Sequence, residues 1–391
     1  EIIYTITDEG REFRNVAAID VRDPKATFVE DLRHDASAME FSRDGRRVIV
    51  TYNEGGYTRV SLRDGGLRGR EMTPPDVPKG VVSNVQFSRD GRRLLCKVES
   101  SVEPGDLWLH DTAASATSRV THSSLAGIKK TDLVEPEIVS YKSFDGLDVP
   151  ALLYIPSAEK GASPLRPAIV NIHGGPEGQS RPTWQPVMQF FLNRGYAVLA
   201  PNIRGSTGYG KSYHRLDDKR LRGDAIKDIA AAAAYLKSSG KVDGARLAAY
   251  GGSYGGYMTL AALTFHPDLW AAGVDIVGIS SFRSFLKNTG AWRAKNRATE
   301  YGDPVTDAEF LDSISPLGFA DRITAPLFVI QGANDPRVPR SEAEQIVENL
   351  KGRGRPVEYL LFPDEGHGLD KLPNRVKAYS AIADFLDQHL K

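Results

Sequence analysis

The sequence predicts an α/β fold, a mostly parallel, doubly wound sheet, preceded by a partial all-β propeller. Three observations predict it. A hairpin-like segment occurs twice within residues 1–120. From about residue 137, apolar runs of strand length alternate with helical stretches. One of those runs ends in a glycine-flanked serine, Gly251-Gly252-Ser253-Tyr254-Gly255. Strands alternating with helices imply a parallel sheet covered on both faces and joined by right-handed crossovers.

Met39 to Val50 contains Phe41-Ser42-Arg43-Asp44-Gly45-Arg46-Arg47, and the same pattern returns about 46 residues later as Phe87-Ser88-Arg89-Asp90-Gly91-Arg92-Arg93, near the blade length of β-propellers. Asp-Gly between two apolar runs is a hairpin signal, because glycine tolerates the positive φ of a primed turn. Asp106 to Asp111 reads as a further strand, and Tyr4 to Val21 as strands of an earlier unit. That makes two to three blades, whereas closed propellers need four to eight. Residues 1–120 are therefore expected to be the tail of a longer propeller. Residues 121–136 read as a linker and 137–391 as the catalytic domain.

In the second part, Ile138–Ser143 and Val149–Ile155 read as an opening hairpin. Ala168–Ile172, Ala197–Ala200, Leu247–Tyr250, Ala271–Val277, Leu327–Ile330 and Val357–Phe362 read as buried strands. Helices are expected at Asp224–Lys237, Tyr257–Phe265, Ser341–Lys351 and Arg375–Leu390.

Bulk properties narrow the function. Fifty basic residues balance fifty acidic ones in a chain of 391, so no net field favours nucleic acid or an anionic membrane. The one cysteine, Cys96, lies in a strand-like run and is expected to fill core space. A single cysteine forms no intrachain disulfide. No run approaches the ~20 apolar residues of a membrane span. With no signal-peptide pattern after Glu1, the expected address is cytoplasmic; the missing initiator Met leaves a removed export signal open. No Cys/His cluster, HExxH or acidic calcium loop is present, so neither a metal nor another cofactor is expected.

The serine carries the chemistry. G-x-S-x-G between an apolar strand and a helix is the nucleophile elbow of the α/β-hydrolase fold, in which small residues on either side of the serine avoid collision at a sharp turn. A serine hydroxyl needs a base, and the base an orienting acid. In this fold the order is serine, acid, histidine. His266, His367 and His389 follow Ser253. Only His367, in Glu365-Gly366-His367-Gly368, sits in a loop just after a strand. Asp335, in Asn334-Asp335-Pro336, follows the strand 327–330 and is the favoured acid; Asp275 and Asp364 are its rivals. Backbone amides must meet the developing oxyanion. Tyr254 is expected to supply one, and the loop His173-Gly174-Gly175-Pro176 the other, through Gly174 or Gly175. His173 precedes the serine and is read as structural. Glu177 is a candidate for a substrate amine, and Phe282, Phe285 and Trp292 are candidates for the pocket that takes the residue before the scissile bond.

These motifs, with Asn202-Ile203-Arg204-Gly205-Ser206-Thr207-Gly208-Tyr209-Gly210 and Gly332 to Pro339, resemble the prolyl oligopeptidase family of serine peptidases. Gly-Gly-Ser-Tyr-Gly-Gly-Tyr and His-Gly-Gly-Pro look most like its acylaminoacyl-peptidase branch and the dipeptidyl-peptidase relatives. The resemblance implies hydrolysis of short peptides through an acyl-enzyme, with Ser253, Asp335 and His367 as triad and a propeller restricting access. Short peptides are the expected partners, together with an absent N-terminal propeller fragment; self-association is left open. A carboxylesterase with the same triad is the close rival. A non-catalytic propeller interaction protein is the distant one, disfavoured by the complete triad.

Overall fold

The computed structural model describes residues 1–157 and 165–391. The chain divides into two compact units. One comprises Glu1–Pro136, Arg181–Pro186 and Thr207–His214; the other comprises Glu137–Ser180, Val187–Ser206 and Arg215–Lys391.

The first unit consists of three consecutive antiparallel sheets. Ile2–Thr7, Asn15–Asp20 and Asp23–Phe28 make the first. Asp35–Phe41, Arg47–Glu54, Tyr57–Asp64 and Arg70–Met72 make the second. Val81–Phe87, Arg93–Ser100, Glu103–Asp111 and Ala116–Arg119 make the third. Period-2 alternation explains the packing. Val48, Val50 and Tyr52 join Val16 and Ala36 in one buried cluster, while Ile49, on the other face of the same strand, joins Leu62 and Leu94 in another. Cys96 is buried with Val82 and Val98, and burial pushes its thiol up to about 11, as befits core filler.

The repeated hairpins are built alike. Ser42 Oγ donates to Asp44 Oδ1 (2.6 Å) and accepts from the Arg47 amide (2.8 Å); Ser88 does the same with Asp90 (2.7 Å) and Arg93 (2.9 Å). Only the glycines, Gly45 at φ 69° and Gly91 at φ 68°, enter the left-handed region. The strands end at Phe41 and Phe87 and resume at Arg47 and Arg93, so the connection differs from the expected primed turn, which in its common form has two residues. The serine side chain closes a longer loop instead. Segments distant in sequence complete this unit: Ser212 Oγ donates to Glu12 Oε2 (2.7 Å), and Arg181 Nε to the Gly56 carbonyl (2.8 Å).

The second unit holds one eight-stranded sheet. In chain order its strands are β1 (Glu137–Lys142), β2 (Asp148–Tyr154), β3 (Arg166–Ile172), β4 (Ala197–Pro201), β5 (Val242–Gly252), β6 (Ala272–Ile276), β7 (Leu327–Gly332) and β8 (Val357–Phe362), arranged β1-β2-β4-β3-β5-β6-β7-β8. β1 and β2 pair antiparallel, as do β2 and β4; every other pair is parallel. Side chains alternate between two faces. Leu327 and Val329 enter the cluster that includes helices Arg222–Ser238, Tyr254–Phe265 and Arg340–Gly352, while Phe328 points the other way onto Phe385 of helix Leu372–Leu390. On that second face Phe191 of helix Pro186–Asn193 packs edge-on against Tyr250. Both faces are covered, which accounts for strands read as near-continuous apolar runs. Among the described residues no helix is long and apolar enough to cross a membrane.

Candidate active site

Catalytic groups in such sheets gather at the carboxyl ends of the strands. Ser253 follows β5, Asp335 follows β7 and His367 follows β8. Ser253 takes φ 60° and ψ −118°, a conformation that costs a non-glycine residue ~1–3 kcal/mol and persists only where its surroundings impose it. Here the Ser253 amide donates to the Ile276 carbonyl of β6 (2.8 Å). A Cβ on Gly251 would fall on the Gly255 carbonyl, and one on Gly255 would fall on that of Ile172. Both glycines of the motif are therefore required by close approach of backbone to backbone.

The three side chains form one hydrogen-bonded line. Ser253 Oγ lies 2.9 Å from His367 Nε2, and His367 Nδ1 lies 2.7 Å from Asp335 Oδ2. The Asp335 side chain is 0% exposed and that of His367 is 19% exposed, so the carboxylate is sealed while the imidazole stays partly accessible. The second oxygen of Asp335 accepts from the amides of Arg337 (2.8 Å) and Val338 (3.0 Å), which fixes the carboxylate plane. The acid and base loops are tied together by the Asn334 amide, which donates to the Glu365 carbonyl (3.0 Å). Glu365 in turn accepts from the Lys371 amide (3.0 Å) and Asn374 (2.8 Å).

The loop after β3 lies against the nucleophile. A Cβ on Gly174 would meet the Gly252 carbonyl at 3.0 Å and the Ser253 Cβ at 3.4 Å. His173 is structural: Nδ1 donates to the Gly174 carbonyl (2.9 Å), Nε2 faces Ser206 Oγ (2.8 Å), and burial holds its pKa below the usual imidazole value. Tyr254 opens the helix Tyr254–Phe265. Its amide is one of the first-turn donors for which a helix provides no acceptor.

The family model for the prolyl oligopeptidase family matches residues 182–391, more than half of the chain. The chain belongs to the prolyl oligopeptidase family. Among its relatives in that family, dipeptidyl aminopeptidase BIII of Pseudoxanthomonas mexicana is 34% identical over an alignment covering 99% of this chain and 58% of the relative. The acylamino-acid-releasing enzyme of Arabidopsis thaliana is 26% identical over 94% of this chain and 48% of its own length. A puromycin-hydrolyzing peptidase of Mycobacterium tuberculosis superposes with a TM-score of 0.90 at 27% identity, covering 100% of this chain and 60% of that one. The chain thus spans roughly half the length of the curated relatives it matches.

Around this prolyl oligopeptidase family site the residues expected in a substrate pocket differ in their surroundings. Phe282 and Phe285 are buried, packed on Tyr301, with Phe282 also against Tyr257. Trp292 is 71% exposed and carries the Arg293 guanidinium over its ring. Glu177 pairs with Arg297 (3.1 Å), so its carboxylate already has a cation. Of the rival acids, Asp364 binds Lys371 (2.6 Å) and Asn374 (3.0 Å) outside the triad.

Asp275 is buried on β6. Its carboxyl lies against Gly256 and Gly278 with no well-formed hydrogen bond, and burial pushes its pKa from 3.8 to about 7. Between those values the unfolded chain has lost a proton that the folded chain keeps, so this group lowers stability as pH rises from about 4 to 7. Asp275→Asn is expected to flatten that part of the slope, read as urea midpoints at pH 5 and pH 7.5. Glu300, raised to about 7 chiefly by burial, leaves a residual slope of the same sign.

Sequence reasoning missed a buried charge cluster behind Tyr254. Arg222, fully buried, donates to Asp217 (2.8 Å), Glu300 (2.6 Å) and Tyr254 Oη (2.7 Å), and lies over the Tyr301 ring. Asp217, Asp218 and Glu300 form the acidic trio among the described residues whose oxygens approach within 4.8 Å. Arg222 supplies the cation there, so these residues do not make an open metal site. Removing one partner of a buried charge network costs about 3–5 kcal/mol, because the other charges stay buried. Arg222→Met is expected to lose that much in chemical unfolding.

Proposed function

We propose that this protein is a serine peptidase that cleaves short peptides through an acyl-enzyme. The observation that carries the reading is the continuous line from Ser253 through His367 to Asp335, at 2.9 and 2.7 Å. His367 Nε2 takes the proton from Ser253 Oγ as the oxygen attacks the scissile carbonyl. Asp335 holds the Nδ1–H tautomer and stabilises the imidazolium. The Tyr254 amide and an amide of the Gly174-Gly175 loop receive the oxyanion. His367 then returns the proton to the departing amine, leaving Ser253 acylated. Water, deprotonated by the same imidazole, releases the acid and restores the hydroxyl.

The names of the relatives, a dipeptidyl aminopeptidase and an acylamino-acid-releasing enzyme, support peptides as the substrate class. Residues 137–391 make the hydrolase domain in this reading, residues 121–136 the linker and residues 1–120 part of a β-propeller. Three stacked meander sheets suit consecutive blades. The exposed Ile2, Ile3 and Tyr4 on the first strand suit a further blade against it. The test is kcat/KM on peptide amides and matched esters. Measurable amide turnover, with a faster ester burst from the shared acyl-enzyme, supports the peptidase. Turnover of esters alone overturns it in favour of an esterase.

A further inference from the structure

The loop His173-Gly174-Gly175-Pro176 has no regular structure of its own, so its backbone must be held from outside. A peptide between two glycines turns over at small cost, because no Cβ resists rotation on either side. The Gly174–Gly175 peptide starts against the nucleophile, where a Cβ on Gly174 would stand 3.4 Å from that of Ser253, and it ends at an exposed Gly175. It is trans, and in a trans peptide the carbonyl and the following amide point in opposite directions. Whatever fixes the Gly174 carbonyl therefore fixes the direction of the Gly175 amide.

Two clips hold the loop, and both come from the turn that follows β4. At the far end Asn202 Oδ1 accepts from the Ser180 amide (2.6 Å), and Asn202 Nδ2 donates to the Ser180 carbonyl (3.1 Å). At the near end the His173 ring bridges the Gly174 carbonyl, 2.9 Å from Nδ1, and Ser206 Oγ, 2.8 Å from Nε2. Gly178 packs over the first of these contacts: a Cβ there would fall on the carbonyl oxygen and 2.7 Å from Nδ1. The turn is itself fixed. The Asn202 amide donates to the Pro150 carbonyl (2.7 Å), and the amide and guanidinium of Arg204 both donate to the buried Asp228 (2.9 Å each).

A neutral imidazole has one N–H and one acceptor nitrogen. Nδ1 holds the Gly174 carbonyl only in the tautomer that carries its hydrogen there, and that tautomer calls for a donor at Nε2. Ser206, 0% exposed, is placed to be that donor. Its Oγ also lies 2.6 Å from the Ile203 carbonyl, but that carbonyl already accepts from the Ser206 amide (3.0 Å). Giving the hydroxyl hydrogen to Nε2 therefore leaves no carbonyl unpaired.

We infer that Ser206 is a positioning residue for the oxyanion hole. Its hydroxyl selects the His173 tautomer that holds the Gly174 carbonyl, and so keeps the Gly175 amide turned toward the reacting carbonyl. This rests on the acyl-enzyme reading above and holds for a peptide or an ester substrate alike.

Ser206→Ala in the full-length protein is expected to lower kcat on a short peptide or its ester by about tenfold, with KM nearly unchanged. Outright removal of an oxyanion donor costs about a hundred- to a thousandfold, which sets the ceiling. A peptide aldehyde, whose adduct with Ser253 carries the same oxyanion, should bind more weakly by a similar factor. The matching peptide amide should bind Ser253→Ala protein equally with and without Ser206→Ala. His173→Asn keeps a donor in place of Nδ1 and has no tautomer to select, so adding Ser206→Ala to it should leave kcat nearly where it was. Nitrogen-15 NMR of the imidazoles reads the tautomer without turnover, the His173 signals being those lost in His173→Asn. The parent should carry the hydrogen on Nδ1, and Ser206→Ala should move it toward Nε2. An unchanged kcat in Ser206→Ala, a loss carried by KM rather than kcat, or hydrogen on Nε2 in the parent overturns the role. So does an unfolding midpoint that falls while kcat holds, the mark of a merely stabilising residue. If the unmutated protein turns over neither peptide nor ester, yet shows the Nδ1 tautomer that Ser206→Ala removes, the acyl-enzyme reading fails and the tautomer selection stands.

Discussion

Ser253→Ala is expected to lower kcat on a short peptide by about a million-fold, the scale seen when a triad serine is removed from other serine hydrolases. The hydroxyl has no substitute in the site, because His173 is occupied with the Gly174 carbonyl and Ser206 rather than with a nucleophile. His367→Ala should cost about as much, and the double variant little more. Groups that act as a unit are not additive: once the proton acceptor is lost, the hydroxyl contributes little. Thermal unfolding of the alanine variant at 253 is expected to match the parent, since the positive φ of that residue is imposed by the backbone contacts of Gly251, Gly255 and Ile276.

Asp335→Asn is expected to reduce kcat by about ten thousand-fold with a small change in KM. The side-chain oxygen that accepts from the amides of residues 337 and 338 would remain, so the loop keeps its shape. The other oxygen becomes an NH2 group facing His367 Nδ1, across what is now a 2.7 Å contact. A donor there favours the imidazole tautomer with hydrogen on Nε2, which cannot take the serine proton. Asp364→Asn provides the contrast, because that carboxylate binds Lys371 and Asn374 and never meets His367. Its kcat should stay within about threefold of the parent, as for a surface ion pair worth about 1 kcal/mol or less.

The elbow was readable in the sequence because its constraint is local. Gly251 and Gly255 are needed wherever a strand turns sharply into a helix, and the apolar run before them marks the strand. Asp335 and His367 were readable for a related reason, since chain order and the ends of β7 and β8 left few candidates. Arg222 was not. It closes Lys219-Arg220-Leu221-Arg222, which reads as a solvated basic run, and only Glu300, far along the chain, turns it into a buried cation. Phe282 and Phe285 show the same gap. Two aromatics three apart suit a pocket wall or a core equally well, and their packing on Tyr301, farther along the chain, has no local signature. β5 was read too short because Asp243-Gly244-Ala245-Arg246 interrupts the apolar run, yet Val242 at its start pairs with Arg166. Residues 207–214 join the first unit through bonds such as Ser212 to Glu12, which have no signature in local sequence.

The most direct measurement is to treat the full-length protein with a fluorophosphonate at neutral pH and map the adduct by peptide mass spectrometry. A single phosphonyl group on the peptide containing Ser253, absent after His367→Ala, is the outcome expected if the imidazole activates that hydroxyl. A folded protein that labels elsewhere, or labels at residue 253 equally well without the imidazole, would contradict it.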